Sequence, residues 1–353
     1  MKQKETYSRY QKSSKLKQLL TKLRDIELVM TKIAFLMDPL SSLNTKKDST
    51  LAMINAAQKK GLEVFYLEQG DVFLSGDKIM GSFRTLKIDP QILKKNFATN
   101  PEKSWYSLGE RIFMDLAEMN IVMLRKDPPF NMNYIYTTYL LERAEASGAL
   151  VVNRPASVRD CNEKLFATSF PQCCPPLIVS SEKNRLLDFY KAEGSVVFKK
   201  LDGMGGDSVF RVTQDDPNAN VIIETLTQKG AEPIMAQKFL PEIADGDKRI
   251  LLLDGQPIPH ALARIPSEGE ARGNLAAGGT AEARPLTQRD RWISEQVGPE
   301  LKRRGLTFVG IDVIGDYLTE INVTCPTCIR ELDEQVGLNI SDDVIEACVS
   351  QLK

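Results

Sequence analysis

The sequence predicts an α/β protein of two or three domains, and three observations support this prediction. The chain has 353 residues, more than a single simple core usually serves. Residues 30–158 alternate strand-like apolar runs with helical patterns, which is typical of a parallel sheet with helices on both faces. After residues 155–161, short strands follow one another with turns between them, which indicates largely antiparallel sheets.

The elements of the first predicted domain follow from hydrophobic periodicity. Apolar runs of strand length stop at turn residues, and stretches of helical periodicity are closed by glycine. Gly76-Asp77 lies between two strand-like runs and predicts a hairpin. The predicted strands are residues 32–37, 63–67, 72–75, 78–81, 121–125 and 150–153, and the predicted helices are residues 49–60 and 134–147.

The second predicted domain, residues 159–353, contains mostly short strands. They are predicted at residues 195–200, 208–212, 234–239, 250–254, 257–265, 307–314 and 317–322, with a helix at 289–304 and two more helices at the end of the chain. Residues 267–283 are rich in Gly, Ala and Glu and are long for a connection. Such a segment is predicted to be a functional lid or a disordered loop.

Charge and hydropathy argue against several classes of protein. The 46 Lys and Arg residues nearly balance the 47 Asp and Glu residues, so no overall field attracts nucleic acid or an acidic membrane. No apolar run approaches the roughly 20 residues of a membrane helix, and a cytoplasmic location is expected. Residues 1–29 are basic and are predicted to form a helical or disordered extension. Organelle targeting, membrane-surface binding and translation starting at Met30 are the alternatives.

The six cysteines form no regular framework, so reduced thiols are expected. Cys325 and Cys328 form a C-x-x-C pair, which alone would suggest a redox site or half of a zinc site. No second C-x-x-C completes a zinc site, and His260 is the only histidine. With one histidine, the chain offers little basis for catalysis by a histidine-based triad.

Three glycines that follow a predicted strand indicate a phosphate site. Gly203, Gly205 and Gly206 allow the main chain to fold closely around an anion and to present its N–H groups. Lys199 on the preceding strand can reach phosphate oxygens. The pattern is neither the P-loop nor G-x-G-x-x-G. A glycine-rich hairpin with a surface lysine is the alternative interpretation.

Polar residues on a predicted hairpin indicate a magnesium site. Glu320 and Asn322 alternate along one strand and share a face, and Asp312 on the preceding strand can lie across from them. Oxygen ligands of this kind suit Mg²⁺. A solvated hairpin face is the alternative, but Asp312 lies within an apolar strand, where an unpaired carboxylate would be costly.

Arginines flank the glycine-rich lid. Arg249 begins one predicted strand, Arg264 ends the next, and Arg272 with Asn274 lies in the lid itself. Arginines around one pocket would bind carboxylates and offset phosphate charge. Each arginine taken singly is more often a surface residue.

Ten short motifs along the chain carry a resemblance to known proteins. Seven lie in the second domain: N-E-K-L-F (162–166), K-K-L-D-G-M-G-G (199–206), D-G-D-K-R (245–249), A-R-I-P (263–266), R-G-N-L-A-A-G-G (272–279), G-I-D-V-I-G-D (310–316) and T-E-I-N-V-T (319–324). Three lie in the first domain: M-D-P (37–39), K-K-D-S (46–49) and R-K-D-P-P-F (125–130). With these motifs the chain resembles proteins of the ATP-grasp fold and, more narrowly, the bacterial glutathione synthetases, for which the three motifs of the first domain are specific.

The resemblance implies a fold, a reaction and its partners. The fold would be a Rossmann-like pre-ATP-grasp domain (30–158) followed by an ATP-grasp domain with an ATP lid subdomain (159–240) and a metal and substrate subdomain (241–353). The reaction would join γ-glutamylcysteine to glycine through an acyl phosphate, with ATP as cosubstrate and Mg²⁺, or alternatively Mn²⁺, as cofactor. The family also implies a homo-oligomer, specifically a tetramer.

The resemblance further implies roles for individual residues. Those implied to contact ATP are Lys164, Lys199, Gly203, Met204, Gly205, Gly206, Gln237, Lys238, Phe239 and Leu240. Those implied to hold the metal are Asp312, Glu320 and Asn322. Those implied to act near the acyl phosphate are Arg249, Arg264, Arg272 and Asn274, and those implied to bind the substrates are Arg125, Asp127, Cys325, Pro326, Thr327 and Arg330. Residues 265–280 would be a mobile loop that shields the intermediate from water.

Three positions depart from the family pattern. Lys200 lies where proline is usual, Thr280 where arginine is common and Cys325 where serine is common. After Cys325, Pro326 is predicted to open a helix whose N–H groups hold the carboxylate of glycine. Two other functions remain open: another ATP-grasp ligase that adds amino acids to a peptide or protein, and a non-catalytic ATP-binding protein of the same fold.

Overall fold

The computed structural model describes residues 31–94, 104–267 and 279–352. In these ranges the chain forms three β-sheets flanked by helices, in agreement with the predicted α/β class. Arg272 and Asn274 lie outside the described residues, as do residues 1–29. No helix in the described ranges combines the length and the apolar character that crossing a bilayer requires.

The first sheet contains seven strands in a mixed arrangement. They are β1 (Lys32–Met37), β2 (Glu63–Leu67), β3 (Val72–Ser75), β4 (Lys78–Ile88), β5 (Tyr106–Asp115), β6 (Ile121–Arg125) and β7 (Leu150–Val152). β2, β1, β6 and β7 are parallel neighbours, as predicted. β4 is antiparallel to β2, β3 and β5, so the sheet is not parallel throughout.

Helices cover both faces of this sheet. They are α1 (Ser49–Lys59) and α2 (Met132–Ala146), and the short α3 (Pro155–Asp160) follows β7. Ala34 and Leu36 of β1 contribute to one hydrophobic cluster, whereas Phe35 contributes to the other. This alternation is expected for a strand that is buried on both faces.

The second sheet is small and antiparallel, and it has its own core. It contains β8 (Leu177–Ser180), β9 (Val196–Lys200), β10 (Val209–Val212) and β11 (Ile234–Lys238). Two helices, α5 (Lys183–Glu193) and α6 (Ala219–Leu226), pack against it, and the short α4 (Glu163–Ala167) precedes β8. Leu186, Phe198 and Ile223 belong to a hydrophobic cluster confined to this unit.

The third sheet carries most of the predicted site. It contains β12 (Asp247–Leu253), β13 (Gln256–Ile265), β14 (Thr280–Pro285), β15 (Phe308–Ile314) and β16 (Tyr317–Asn322), all antiparallel. Its helices are α7 (Gln288–Arg303), α8 (Ile329–Val336) and α9 (Ile340–Ser350). The strand order β14-β13-β12-β15-β16 brings β12 between β13 and β15.

Buried polar contacts join the first and third sheets. Asn153, which follows β7, donates from Nδ2 to the carbonyls of Phe308 (2.7 Å) and Val323 (2.8 Å), and its Oδ1 accepts from the Phe308 N–H (2.9 Å). A partly exposed ion pair, Lys60 with Glu346 at 2.6 Å, also joins α1 to the helix α9. Both hydrophobic clusters of the first sheet also include residues of the third sheet, so these two parts share their cores.

Seven strands and helices of the described residues were not predicted: β5, β8, β14, α3, α4, α5 and α6. β14 begins at the end of the stretch that was interpreted as a glycine-rich lid. Its residues are mostly small or polar, so the sequence contains no apolar run that would predict a strand. β5 is mostly exposed and is interrupted by Gly109, opposite a register irregularity in β4. Such edge strands are stabilised mainly by pairing with their neighbour, which periodicity does not report.

Candidate active site

A large cavity of about 620 Å³ lies where the three sheets meet. Its size is within the usual range for small-molecule sites. The walls include Arg125 from the first sheet, Lys199 and Gln237 from the second, and Arg249 and Asp312 from the third. The structure therefore brings together residues from every part of the described chain.

The hairpin of β15 and β16 places the predicted metal ligands opposite one another. Gly315 at the turn has φ +56°, a conformation that glycine adopts without strain. Asp312 is paired across the strands with Glu320, and Gly310 is paired with Asn322. Asn322 Nδ2 lies 3.3 Å from Asp312 Oδ2. The expected convergence of the three side chains is thus present.

Two arginines hold the buried carboxylate of Asp312. Arg249, opposite it on β12, donates from Nη2 to Oδ2 at 2.9 Å and from Nε to Oδ1. Arg264 Nη2 lies 3.0 Å from Oδ2. Burial alone would raise the pKa of Asp312, but the two guanidinium groups outweigh it and lower the pKa to about 2. Gly310 leaves room for Arg249, because a Cβ there would lie 2.9 Å from Arg249 Cδ.

Asp247 is a further acidic group of this site. Its Oδ2 accepts from Arg264, whereas its Oδ1 is buried without a hydrogen-bond partner among the described residues. Burial raises the pKa of Asp247 to about 6 despite Arg264. The residue begins β12, two positions before Arg249, and it belongs to the motif D-G-D-K-R, which served only to recognise the family.

Two lysines form the opposite wall. Lys164 is 2% exposed and Lys199 6% exposed, and both face Glu320 Oε1, at 3.7 and 3.9 Å. Lys164 also donates to Glu163 and to the Gly203 carbonyl at 2.5 and 2.6 Å. Burial lowers the pKa of Lys199. For Lys164, burial acts in the same direction but is outweighed by Glu320 and Glu163, so its pKa is raised.

The glycine-rich loop and the segment after β11 complete the predicted nucleotide site. Gly203, Met204, Gly205 and Gly206 line the cavity beside Lys199. Gly205 and Gly206 have φ +62° and +82°, a left-handed conformation that glycine adopts without strain. Gln237, Lys238, Phe239 and Leu240 line the same cavity. The N–H groups of Lys238 and Phe239 donate within the fold, to the carbonyls of Pro176 and Ser195.

The predicted metal ligands fit a divalent cation chemically. Among the described residues the Glu320 carboxylate has only the two lysine contacts of 3.7 and 3.9 Å, which leave it available to a cation. Asp312 has closer contacts, with two arginines, but among the described residues its Oδ1 accepts a hydrogen bond only from Arg249. A half-turn of the Asn322 amide would add a neutral oxygen. Among the described residues no group of three His, Cys, Asp or Glu side chains is suited to a metal, and this set contains only two carboxylates.

The first domain contributes more residues to the cavity wall than the sequence analysis predicted. Asp38, Asp48 and Thr50 line the cavity together with Arg125 and Asp127. Arg125 donates from Nε to Thr50 Oγ1 at 3.2 Å, and the Asp127 N–H donates to Asp38 Oδ2 at 2.8 Å. The motifs M-D-P and K-K-D-S were the signal for these residues, but they served only to recognise the family.

Pro326 and Arg330 differ from their expected placement. Helix α8 begins at Ile329 and not at Pro326, so the prediction of a helix opened by Pro326 is wrong. The reason is visible locally: Cys328 has φ +83°, and the Ile329 N–H donates to Ser49 Oγ. The Arg330 guanidinium donates to the carbonyls of Thr45 and Leu93. Neither Pro326 nor Arg330 is on the cavity wall, whereas Cys325 and Thr327 are.

Cys325 and Cys328 are free thiols on that wall. Cys325 Sγ lies 3.4 Å from the Arg125 carbonyl. Burial raises the pKa of Cys325 to about 12 and also raises that of Cys328. A reactive redox pair needs a lowered thiol pKa, so these values disfavour the redox interpretation.

Solved structures share this fold at low sequence identity. The D-cycloserine synthetase DcsG aligns with a TM-score of 0.63 at 14% identity, covering 91% of this chain and all of its own. A RiPP-associated ATP-grasp ligase from Chryseobacterium gregarium aligns with a TM-score of 0.60 at 16% identity, covering 91% and 97%. The fold is the ATP-grasp fold, and the cavity lies between its subdomains and the first domain.

Sequence comparison narrows the class to one family. Prokaryotic glutathione synthetase, N-terminal domain, matches residues 31–159, and its ATP-grasp domain matches residues 163–337. Glutathione synthetases of Pseudomonas aeruginosa and Shewanella oneidensis are each 52% identical, covering 91% and 92% of this chain and 98% and 99% of their own. That of Escherichia coli O157:H7 is 48% identical. The chain belongs to the prokaryotic glutathione synthetase family and is an ATP-dependent ligase.

Proposed function

We propose that the chain joins γ-glutamylcysteine to glycine in the 620 Å³ cavity, with cleavage of ATP to ADP and phosphate. One observation carries this proposal: two buried lysines, two buried arginines and the hairpin that bears Asp312 and Glu320 all line the same cavity. The cysteinyl carboxylate accepts the γ-phosphoryl group and becomes an acyl phosphate. The amine of glycine then attacks the acyl carbon, phosphate leaves with the C–O bond electrons, and the amine releases a proton.

The lysines position and neutralise the phosphates of ATP. Lys164 and Lys199 lie on one side of Glu320, and the loop 203–206 adds main-chain N–H groups. Phosphoryl transfer requires alignment and charge stabilisation more than covalent chemistry from the protein. Correct orientation alone can contribute about 7–11 kcal/mol to lowering the barrier.

The arginines stabilise the charge that develops on the acyl phosphate. Arg249 and Arg264 are already fixed by Asp312 and Asp247, so little reorganisation is needed when substrate binds. Arg272 and Asn274 are assigned to the same task, as residues of a loop that excludes water from the intermediate. Arg125, Asp127, Cys325 and Thr327 would bind the peptide and glycine at the first-domain wall.

Mg²⁺ belongs to the same proposal, with Asp312, Glu320 and Asn322 as its ligands and Mn²⁺ as a substitute. When bound, the ion would neutralise charge on the ATP phosphates. Both lysines contact the same oxygen of Glu320, Oε1, so this carboxylate lies directly beside the proposed phosphate site.

The proposal also includes a homotetramer, a cytoplasmic location and a domain division at residues 158/159. The division is supported by the two matched segments, which end at residue 159 and begin at residue 163. Analytical ultracentrifugation of the full chain tests the tetramer: a monomer at micromolar concentration would contradict it.

The reaction is tested by ADP release together with mass spectrometry of the product. Equal amounts of ADP and glutathione are expected only when ATP, γ-glutamylcysteine and glycine are all present. ADP release without glycine, or with alanine at an equal rate, would reject glycine as the acceptor. An ADP signal that does not depend on γ-glutamylcysteine would reject the ligase reaction itself.

A further inference from the structure

A second cavity lies in the first domain, between β2, β4 and β5. Its volume is about 150 Å³, and it shares no lining residue with the candidate active site. A water molecule occupies roughly 30 Å³ in the liquid, so this space suits a small ion and not a nucleotide.

The strand register places two arginines side by side in this cavity. Tyr66 of β2 is paired with Arg84 of β4, and Arg84 is paired with Arg111 of β5. Side chains that are directly opposite share a face, and like charges in such positions repel each other. Among the described residues, neither arginine has a carboxylate oxygen within ion-pair distance.

Hydrogen-bond donors in the cavity are left unused. Arg84 Nε and Ser82 Oγ are both buried without a partner among the described residues, and Ser82 is only 6% exposed. The two residues alternate on β4 and therefore share the face that lines the cavity. Buried groups without partners are costly, so this arrangement calls for an acceptor.

The acidic residues of the cavity do not supply that acceptor. Glu68 Oε1 accepts from the Tyr66 hydroxyl at 2.5 Å, and Asp71 Oδ2 accepts from the Glu68 N–H at 2.9 Å. Each carboxylate therefore accepts at least one hydrogen bond near the short turn that follows β2, and neither forms an ion pair with Arg84 or Arg111 among the described residues. Arg84 Nε is a donor only, so a cation in this cavity would leave it without a partner.

We infer that this cavity binds a small oxyanion, held between Arg84 and Arg111 with the Ser82 hydroxyl as a further donor. The planar guanidinium groups match the oxygens of a phosphate or of a carboxylate. Bridging the two arginines would remove their mutual repulsion and satisfy both buried donors at once.

The position of the cavity connects it with the active site. Residues 37–43 separate the two cavities: Asp38 and Ser42 line the active site, whereas Leu40 and Ser41 line the second cavity. Asp38 pairs with Lys126 at 2.8 Å. An oxyanion in the second cavity would therefore fix the loop whose other side carries Asp38.

Calorimetric titration of the full-length protein tests this site. The protein is first saturated with AMP-PNP and Mg²⁺, which fill the phosphate positions of the active site. Inorganic phosphate and malonate are then titrated in separate experiments. Wild type is expected to bind one further anion, and Arg111→Gln to bind it about tenfold more weakly, the loss of roughly one charge-assisted hydrogen bond.

Arg111 is on an exposed strand, so its replacement does not endanger folding. Lys87→Gln, which removes an exposed charge from β4 outside the cavity, is the matched control and should bind as wild type does. Tighter binding of phosphate than of malonate would identify a tetrahedral ligand, and the reverse order a carboxylate. Absence of a further site in wild type, or equal binding by wild type and Arg111→Gln, would overturn the inference.

Discussion

Asp312 and Glu320 are opposite each other on one hairpin but have different surroundings. Asp312 is 3% exposed and is held by two arginines, whereas the Glu320 side chain is 24% exposed and has only long contacts with two lysines. Removing one partner of a buried ion pair leaves the other partner uncompensated. A carboxylate without close partners can be neutralised at much lower structural cost.

The two carboxylates should therefore respond differently to isosteric neutralisation. Glu320→Gln is expected to lower kcat/KM by about a hundredfold or more while changing Tm by less than about 3 °C. It should also raise the Mg²⁺ concentration needed for half-maximal ADP release, which a purely structural residue would not affect. ADP release across a magnesium series and thermal unfolding are the measurements.

Asp312→Asn is the matched comparison. It leaves Arg249 and Arg264 short of a buried counter-charge and should lower the free energy of unfolding by about 3–5 kcal/mol as well as activity. Equal losses of stability in both variants would contradict the difference in surroundings.

Thiol reactivity is a second property of single residues. All six cysteines are free, and burial raises the pKa of each. A thiol is nucleophilic only when deprotonated, and with a pKa of about 12 Cys325 is a thiolate in about one molecule in ten thousand at pH 8.

Iodoacetamide should therefore label Cys325 in the native protein far more slowly than it labels free glutathione at pH 8. Because the pKa is raised, the rate should increase about tenfold for each unit of pH up to the limit of folding. Peptide mapping after timed quenching gives the rate for each cysteine. Rapid labelling of Cys325 at neutral pH would revive the redox interpretation of the C-x-x-C pair.

At the scale of elements, Asn153 joins the end of β7 to the strand that carries Asp312. It is 4% exposed and makes three hydrogen bonds to main-chain groups. Asn153→Ala would leave two carbonyls and one N–H without partners, and it should lower the free energy of unfolding by about 3 kcal/mol. Urea unfolding measures this change.

Asn220→Ala is a control on an exposed position of α6, and it should change the free energy of unfolding by less than about 0.5 kcal/mol. Since Asn153 is not on the cavity wall, its alanine variant should keep its activity under conditions where it is folded. A fully stable Asn153→Ala protein would show that this contact does not hold the domains together.

Strands and helices whose residues and flanking turns both show the expected pattern were predictable from the sequence. β15 and β16 were predicted almost to their bounds because an apolar strand, Gly315-Asp316 and an alternating strand follow one another. The ion pairs of Asp312 were not predictable, because Arg249 is 63 positions away and its contact depends on the pairing of β12 with β15. Asp247 was missed for the same reason: its burial comes from the packing of sheets, not from its neighbours in sequence.

For the whole molecule, the distribution of hydrophobic cores indicates two structural units: the second sheet with its helices, and the rest of the described chain. The first and third sheets share two hydrophobic clusters, whereas the second sheet and its helices form a separate cluster. Contacts across the cavity between the second and third sheets include polar ones, such as Lys199 with Glu320. A polar boundary around a ligand cavity is the arrangement in which one body can close on another with little loss of packing.

Binding of AMP-PNP with Mg²⁺ should therefore draw the second sheet toward the rest of the protein. Hydrogen exchange is expected to slow in residues 203–206 and 237–240, which line the cavity, while core amides of β1 keep their rates. The radius of gyration from small-angle scattering should fall in parallel. Lys164→Met removes the contact that spans from α4 to the Gly203 carbonyl and should weaken both responses. Protection spread evenly over all three sheets would indicate general stabilisation by ligand and would argue against movement of a separate body.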